Sequence, residues 1–151
     1  MSLPDMSMLR GARLDDASEI ARLSGELGYP ASAAEIVTRL TALLDDPVHR
    51  ISVVEAAGTL LGWIAVECRM TLESGERAEI VGLVVSEQAR RQGVGRTLVD
   101  DAEAWAHALG FATLVVRSNV LRDASHEFYR RQGYMLRKTQ HVYAKTLDAV
   151  S

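Results

Sequence analysis

Three apolar, β-branched runs follow one another between residues 50 and 86, and they constrain the fold more than any other stretch of this sequence. The first two, within "RISVVEAAGTLLGWIAVECRM", are separated by only Ala57 and Gly58, a spacing that predicts an antiparallel hairpin. The third, "AEIVGLVVS", alternates Glu79, Val81, Leu83 and Val85 on one face with Ile80, Gly82 and Val84 on the other. A glycine inside such a strand marks a bulge or a close backbone approach.

The flanks supply what covers this sheet. "MLRGAR" reads as a short opening strand. In "DASEIARLSGELGYP", Asp16 and Glu19 have capping-box spacing, Ile20, Leu23 and Leu27 share a face, and Gly28 and Pro30 stop the helix. A second box, Ser32 with Glu35, opens a helix whose stripe is Ile36, Leu40 and Leu43, ended by Asp46 and Pro47. After the third run comes a helix with Val94, Leu98, Ala102, Trp105 and Leu109 at spacings of three and four, while Asp100, Asp101 and Glu103 point elsewhere. Gly110 ends it. "FATLVVRS" is a strand, "DASHEFYRRQG" a short helix stopped by Gly133, and "YMLRKTQHVYAKTL" a final pair of strands around Thr139 and Gln140. The order βααβββαβαββ predicts an α/β fold, a mixed and mostly antiparallel sheet with helices on both faces.

A length of 151 residues with 48% apolar content suits one domain, placed over residues 8–148. Residues 1–7 are set aside as a disordered or vector-derived N-terminus. With 17 basic and 20 acidic side chains the net charge is -3, which does not suit nucleic acid and better suits a cationic small substrate. Cys68 is the sole cysteine, so no intramolecular disulfide forms and a reducing, cytoplasmic setting is expected. No apolar run has membrane-spanning length, and the start lacks signal-peptide order. His49, His107, His126 and His141 have no metal-ligand spacing, so no metal is expected. Cys68, Trp63 and Trp105 read as packing residues, and the loop holding Tyr29 is a candidate wall of an acceptor pocket.

The chemistry concentrates in "EQARRQGVGRTLVDDAEAWA", where Arg90, Arg91 and Arg96 surround Gly93 and Gly95 just before a helix. Unpaired N–H groups and the positive end of the helix dipole make that position attractive to an anion. A Walker loop is absent, and a dinucleotide fingerprint beginning at Gly93 fails at Leu98. The glycines could equally serve a turn, with the arginines solvated.

The run Arg90-Arg91-Gln92-Gly93-Val94-Gly95 resembles the Arg/Gln-x-x-Gly-x-Gly/Ala signature of the GNAT superfamily of acetyl-CoA-dependent N-acetyltransferases, and "YRRQGY" resembles the family's Tyr-x-x-x-Gly-Phe/Tyr ending. The resemblance implies that the backbone of residues 91–96 holds the coenzyme A pyrophosphate, with Arg90, Arg91 or Arg96 reaching phosphate. It implies main-chain bonds from Leu83, Val84 and Val85 to the pantetheine arm. Tyr129 corresponds to the tyrosine that donates to the departing thiolate, although Tyr129 and Phe128 also fit the core face of a short helix. Glu79 stands where one branch of the family carries a general base, and Val81 and Leu83 beside it would raise its pKa; it could instead be solvated, or attract an ammonium. The family's Asn-x-x-Ala is altered, with Arg122 and Ser125 at those places and Asn119 three residues earlier. Arg122 or Asn119 could still contact the coenzyme. The implied reaction is acetyl transfer to a primary amine by direct attack. Acetylation of protein lysines or N-termini, and a non-catalytic acyl-CoA sensor, are the alternatives. The oligomeric state, monomer or homodimer, stays open.

Overall fold

The computed structural model describes residues 6–117 and 123–148. They fall into two compact units divided after Arg117.

The first unit is built on a five-stranded sheet in the order β1-β2-β3-β4-β5. Its strands are β1 (Ser7–Gly11), β2 (His49–Ala56), β3 (Thr59–Thr71), β4 (Gly75–Val85) and β5 (Leu114–Val116). All neighbours are antiparallel except β4 and β5. Ser7 pairs with Ala56, so the first strand begins inside the stretch expected to be disordered. The β2–β3 hairpin turns on Ala57 (φ 51°) and Gly58 (φ 82°), the paired left-handed geometry of a two-residue turn whose twist matches the strands.

Helices α1 (Ala17–Glu26) and α2 (Ala33–Leu44) cover one sheet face, burying Ile20, Leu23, Ile36 and Leu40 against Ile51, Val53 and Val84. The second capping box forms as expected, with Ser32 and Glu35 each accepting the other's backbone N–H at 3.1 Å. The first does not. Asp16 turns back to accept from Arg10 at 2.8 and 2.9 Å and from the Arg13 N–H, because a nearby guanidinium outbids an orphan amide. Glu19 instead accepts from Arg22 and from the Leu60 N–H, tying α1 to the start of β3.

Helix α3 (Val94–Ala108) covers the opposite face with Val94, Leu98, Val99, Ala102 and Ala106. The packed stripe runs to Ala106, which leaves Leu109 half exposed. Asp101, expected to face solvent, reaches the sheet: Arg50 donates to it twice at 2.9 Å and Ser52 Oγ once at 2.5 Å. Burial pushes its carboxyl up, but these donors outweigh that and hold it below the usual range.

The second unit contains α4 (Asp123–Arg131). The two closing strands expected after it are not formed. Residues 134–148 have no regular secondary structure, and Met135, Leu136, Val142 and Tyr143 are between 85% and 91% exposed. Thr139 and Gln140 lack the left-handed tolerance a tight hairpin needs, and a lone two-stranded ribbon is marginal in water. The element order found is βααβββαβα.

Candidate active site

The outer edge of β4 opens beside a bulge in its pairing with β3. Across β3, Ala65 faces Gly82 while Val66 faces Ile80, so Val81 is the extra residue. The bulge lies beside the glycine that suggested it. Gly82 has its own reason to be glycine: a Cβ there would sit 2.8 Å from the Trp63 ring. The insertion also breaks the alternation read from the sequence. Glu79 shares a face with Gly82 and Val84, through their partners Glu67, Ala65 and Trp63, and not with Leu83 and Val85. On its other side β4 pairs with β5 only from Ala78 to Ile80. From residue 81 to 85, therefore, the outer edge of β4 has no strand partner among the described residues. Its amides and carbonyls can take an extended ligand, as a sheet takes an added strand. Leu83, Val84 and Val85 all lie on this stretch.

The same chain segment then makes a helix terminus. Ser86 is tied down by its N–H to Leu61 O at 2.8 Å, a short 3-10 turn follows, and Ala89 is buried beneath it. Arg91 adopts a left-handed backbone (φ 65°), unusual for a side chain of its size and a mark of strain held by its surroundings. Gly93, also left-handed (φ 81°), is the N-cap of α3 and provides no side-chain cap. Gly62 lets the first turn of α3 come close, since a Cβ there would be 2.8 Å from Val84 O and 3.0 Å from Val94 Cγ1. The opening N–H groups of α3 thus have no side-chain cap among the described residues and lie just past the free strand edge. Arg90, Arg91, Gln92 and Arg96 are exposed around them, with Val94 buried and Gly95 half-buried. Arg96 has one distant partner, Asp100 at 4.0 Å, and Arg90 and Arg91 make no ion pair among the described residues. A strand edge feeding an uncapped, arginine-rimmed helix start fits a ligand with an extended amide arm and a pyrophosphate.

Glu79 is 3% exposed, as burial on a strand face predicts, but its neighbours are not apolar. Arg77 Nη2 donates to Oε1 at 3.2 Å, Arg69 Nη1 donates to Oε2 at 3.1 Å, and Arg117 Nε lies 3.5 Å from Oε1. Those three arginines were not singled out from the sequence. The signal was present in the alternation of Arg77 with Glu79 and in Arg69, which faces Arg77 across the ladder. Cys68 lies in β3 half-buried, and burial first, then Glu76 and Glu67, push its thiol up, away from a thiolate nucleophile.

In the second unit, Tyr129 sits in the last turn of α4. The Tyr134 N–H donates to Tyr129 O at 3.0 Å and the Gly133 N–H to Arg130 O at 3.0 Å, with Gly133 at φ 91°. That is a Schellman stop, and the Tyr129 and Tyr134 rings pack edge to face at 5.8 Å as its apolar contact. The Tyr-x-x-x-Gly-Tyr spacing thus has a local cause: the glycine reverses the chain and the two aromatics staple the reversal. Phe128 packs on Tyr129 at 5.2 Å. Burial pushes the Tyr129 phenol up to about 12. Asn119 and Arg122 lie outside the described residues. Among the described residues no group of three or more His, Cys, Asp or Glu could hold a metal, and no helix is long and apolar enough to cross a membrane.

Residues 14–134 match the family model described as the acetyltransferase (GNAT) family. The chain belongs to that family. This GNAT chain is 28% identical over 137 residues to an IAA acetyltransferase of Azospirillum brasilense, covering 87% of this chain and 86% of the relative. It is 30% identical over 126 residues to an uncharacterised N-acetyltransferase of Chlorobaculum tepidum, covering 83% and 74%. Among solved structures, an aminoglycoside N-acetyltransferase in complex with CoA superposes with a TM-score of 0.82 at 15% identity, over 92% of this chain and 94% of that one, a likeness of fold. As a GNAT acetyltransferase the chain uses acetyl-CoA as acyl donor and acetylates an amine.

Proposed function

We propose that the chain acetylates a small primary amine by direct attack of the amine on the thioester in a ternary complex. The observation that carries this reading is the continuous run from residue 81 to 97: a bulged strand with a free edge, then a helix start without a side-chain cap. In this reading Leu83, Val84 and Val85 bind the pantetheine arm by main-chain hydrogen bonds. The backbone of residues 91–96, with Arg90, Arg91 and Arg96, takes the phosphates. The amine nitrogen bonds to the acetyl carbon, the C–S bond breaks, and the sulfur needs a proton. In this reading Tyr129, a phenol protonated at neutral pH, is the donor to that sulfur.

Glu79 enters as a charge anchor rather than as the proton acceptor. Both of its oxygens are engaged by guanidiniums, so the proton released by the amine passes to water. Thiol release from acetyl-CoA with a panel of amines tests the reading. Turnover with at least one small amine is expected, and Tyr129→Phe should lower kcat by about 100-fold while acetyl-CoA affinity stays. An unchanged kcat would remove Tyr129 from the chemistry. In Glu79→Gln, a rate that is lost at neutral pH and recovers as pH rises would restore the base role.

A further inference from the structure

The charges gathered at Glu79 do not cancel. Arg69, Arg77 and Arg117 bring three positive charges, and Glu79 brings one negative charge at 3.1 to 3.5 Å from them. Glu67 adds a second, 3.6 Å from Arg69 Nε, and its other oxygen faces His49 Nδ1 at 3.4 Å. Among the described residues one positive charge is left over. A buried carboxylate does not need three arginines when one bidentate guanidinium can satisfy it. The Nε of Arg77 is buried and lacks a hydrogen-bond partner among the described residues, a donor of the kind folded chains rarely leave unpaired. The outward parts of the cluster are available: the side chains of Arg117 and Arg69 are 55% and 39% exposed.

The place of this cluster matters as much as its charge. Arg117 follows Val116, the last residue of β5 to pair with β4, and the free edge of β4 begins one residue past Val116's partner Ile80. Glu79 and Val81 are two residues apart, about 7 Å along a strand. An anion held by the guanidiniums would therefore lie within one short carbon chain of the bulge where the β4 edge opens.

We propose that Arg69, Arg77 and Arg117, spaced by Glu79, form the specificity element of the acceptor site and select an amine that also carries a carboxylate. This rests on the N-acetyltransferase reading above and names its substrate class. A carboxylate supplies the single negative charge the cluster lacks. Glu79 acts as a positioning residue that keeps the guanidiniums converged. The covalent step is unchanged: the amine nitrogen takes the acetyl group, coenzyme A leaves as the thiol, and the carboxylate only binds.

Matched acceptors test it. Thiol release from acetyl-CoA is measured with ω-amino acids from glycine to 6-aminohexanoate, with their carboxamides, and with aminoalkylphosphonates of equal length. At least one ω-amino acid should exceed its carboxamide in kcat/KM by on the order of 10-fold, the worth of a charge-assisted bond. It should also exceed the dianionic phosphonate. Arg117→Gln should raise KM for the acid by a similar factor, leave kcat in place and leave the carboxamide unaffected; Arg117→Lys should restore part of the loss. Equal rates for acid and carboxamide, a preference for the phosphonate, or a KM change shared by both acceptors would overturn the assignment. If acetyl-CoA binds but no amine releases thiol, the enzymatic reading fails separately. The cluster is then judged by calorimetry with 6-acetamidohexanoate in the presence of coenzyme A. Binding that Arg117→Gln abolishes supports it, and no binding to the wild type overturns it.

Discussion

Replacing glycine by alanine at two positions should move stability in opposite directions, because the same methyl group meets different surroundings. At Gly62 a Cβ would sit 2.8 Å from Val84 O, 3.0 Å from Val94 Cγ1 and 3.2 Å from Leu98 Cδ1. The nearest of these is a backbone oxygen in the β3–β4 ladder, which cannot rotate aside, so β4 or the first turn of α3 must shift. Overpacking of this kind costs about 1–3 kcal/mol. For a chain of this length that lowers Tm by roughly 3–10 °C. Gly25, within α1, has no atom within 4 Å of a Cβ and a backbone that alanine accepts. Gly25→Ala should stabilise by about 0.5–1 kcal/mol, since alanine loses less chain entropy on entering a helix. The two variants are compared by thermal melting and by calorimetry with acetyl-CoA. Gly62→Ala should also weaken acetyl-CoA binding, because the shift separates the free β4 edge from the α3 terminus, whereas Gly25→Ala should leave affinity alone. A Gly62→Ala protein with wild-type Tm and wild-type affinity would refute both the close approach and its role in setting the coenzyme site.

Gly93→Asp places a side chain and a negative charge at the uncapped start of α3, and acetyl-CoA affinity measured on the folded variant should fall by at least about 10-fold; retained affinity would dissociate that terminus from phosphate. Acid stability is set in part by Asp16 and Asp101. For both, burial pushes the carboxyl up, but hydrogen bonds from Arg10 and the Arg13 N–H, or from Arg50 and Ser52, outweigh it and leave the folded state more acidic than the unfolded one. Their stabilisation is therefore full above the unfolded value of about 4 and is lost as pH falls below it through the folded values. Urea melts between about pH 7 and pH 3 should show that decline, and Asp101→Asn should flatten it while lowering stability at neutral pH.

The hairpin, the three long helices and the helix start at Gly93 were legible because each is written locally. Ala57-Gly58 sets a turn, Ser32 and Glu35 reciprocate within one helical turn, and the α3 stripe repeats at the helical period. What the sequence concealed depends on partners distant along the chain. Asp16 has the spacing of a helix cap, yet Arg10 from β1 takes it, and no local rule ranks the two. Asp101 reads as solvent-facing until Arg50 and Ser52, some fifty positions earlier, come opposite it. The apolar setting expected for Glu79 failed for a related reason. One bulge residue, Val81, exchanged the faces of everything beyond it, so Leu83, taken as a companion of Glu79, lies on the other side of the sheet. The closing strands were inferred from alternation alone, which signals a strand only when a neighbour is there to pair.

The free edge of β4 carries a consequence for handling the protein. Residues 81–85 read VGLVV, without charge or proline, and their outer amides and carbonyls lack a strand partner among the described residues. Such a segment is a template for intermolecular pairing, and chains ordinarily shield one with lysine, proline or a covering loop. In the proposed reading the shield is the coenzyme itself, whose amide-bearing arm would occupy the positions that another molecule's strand would use. Donor concentration should then govern colloidal behaviour as well as turnover: a stock stripped of acetyl-CoA is expected to lose solubility on standing and warming, and light scattering that is equal with and without saturating acetyl-CoA would refute this.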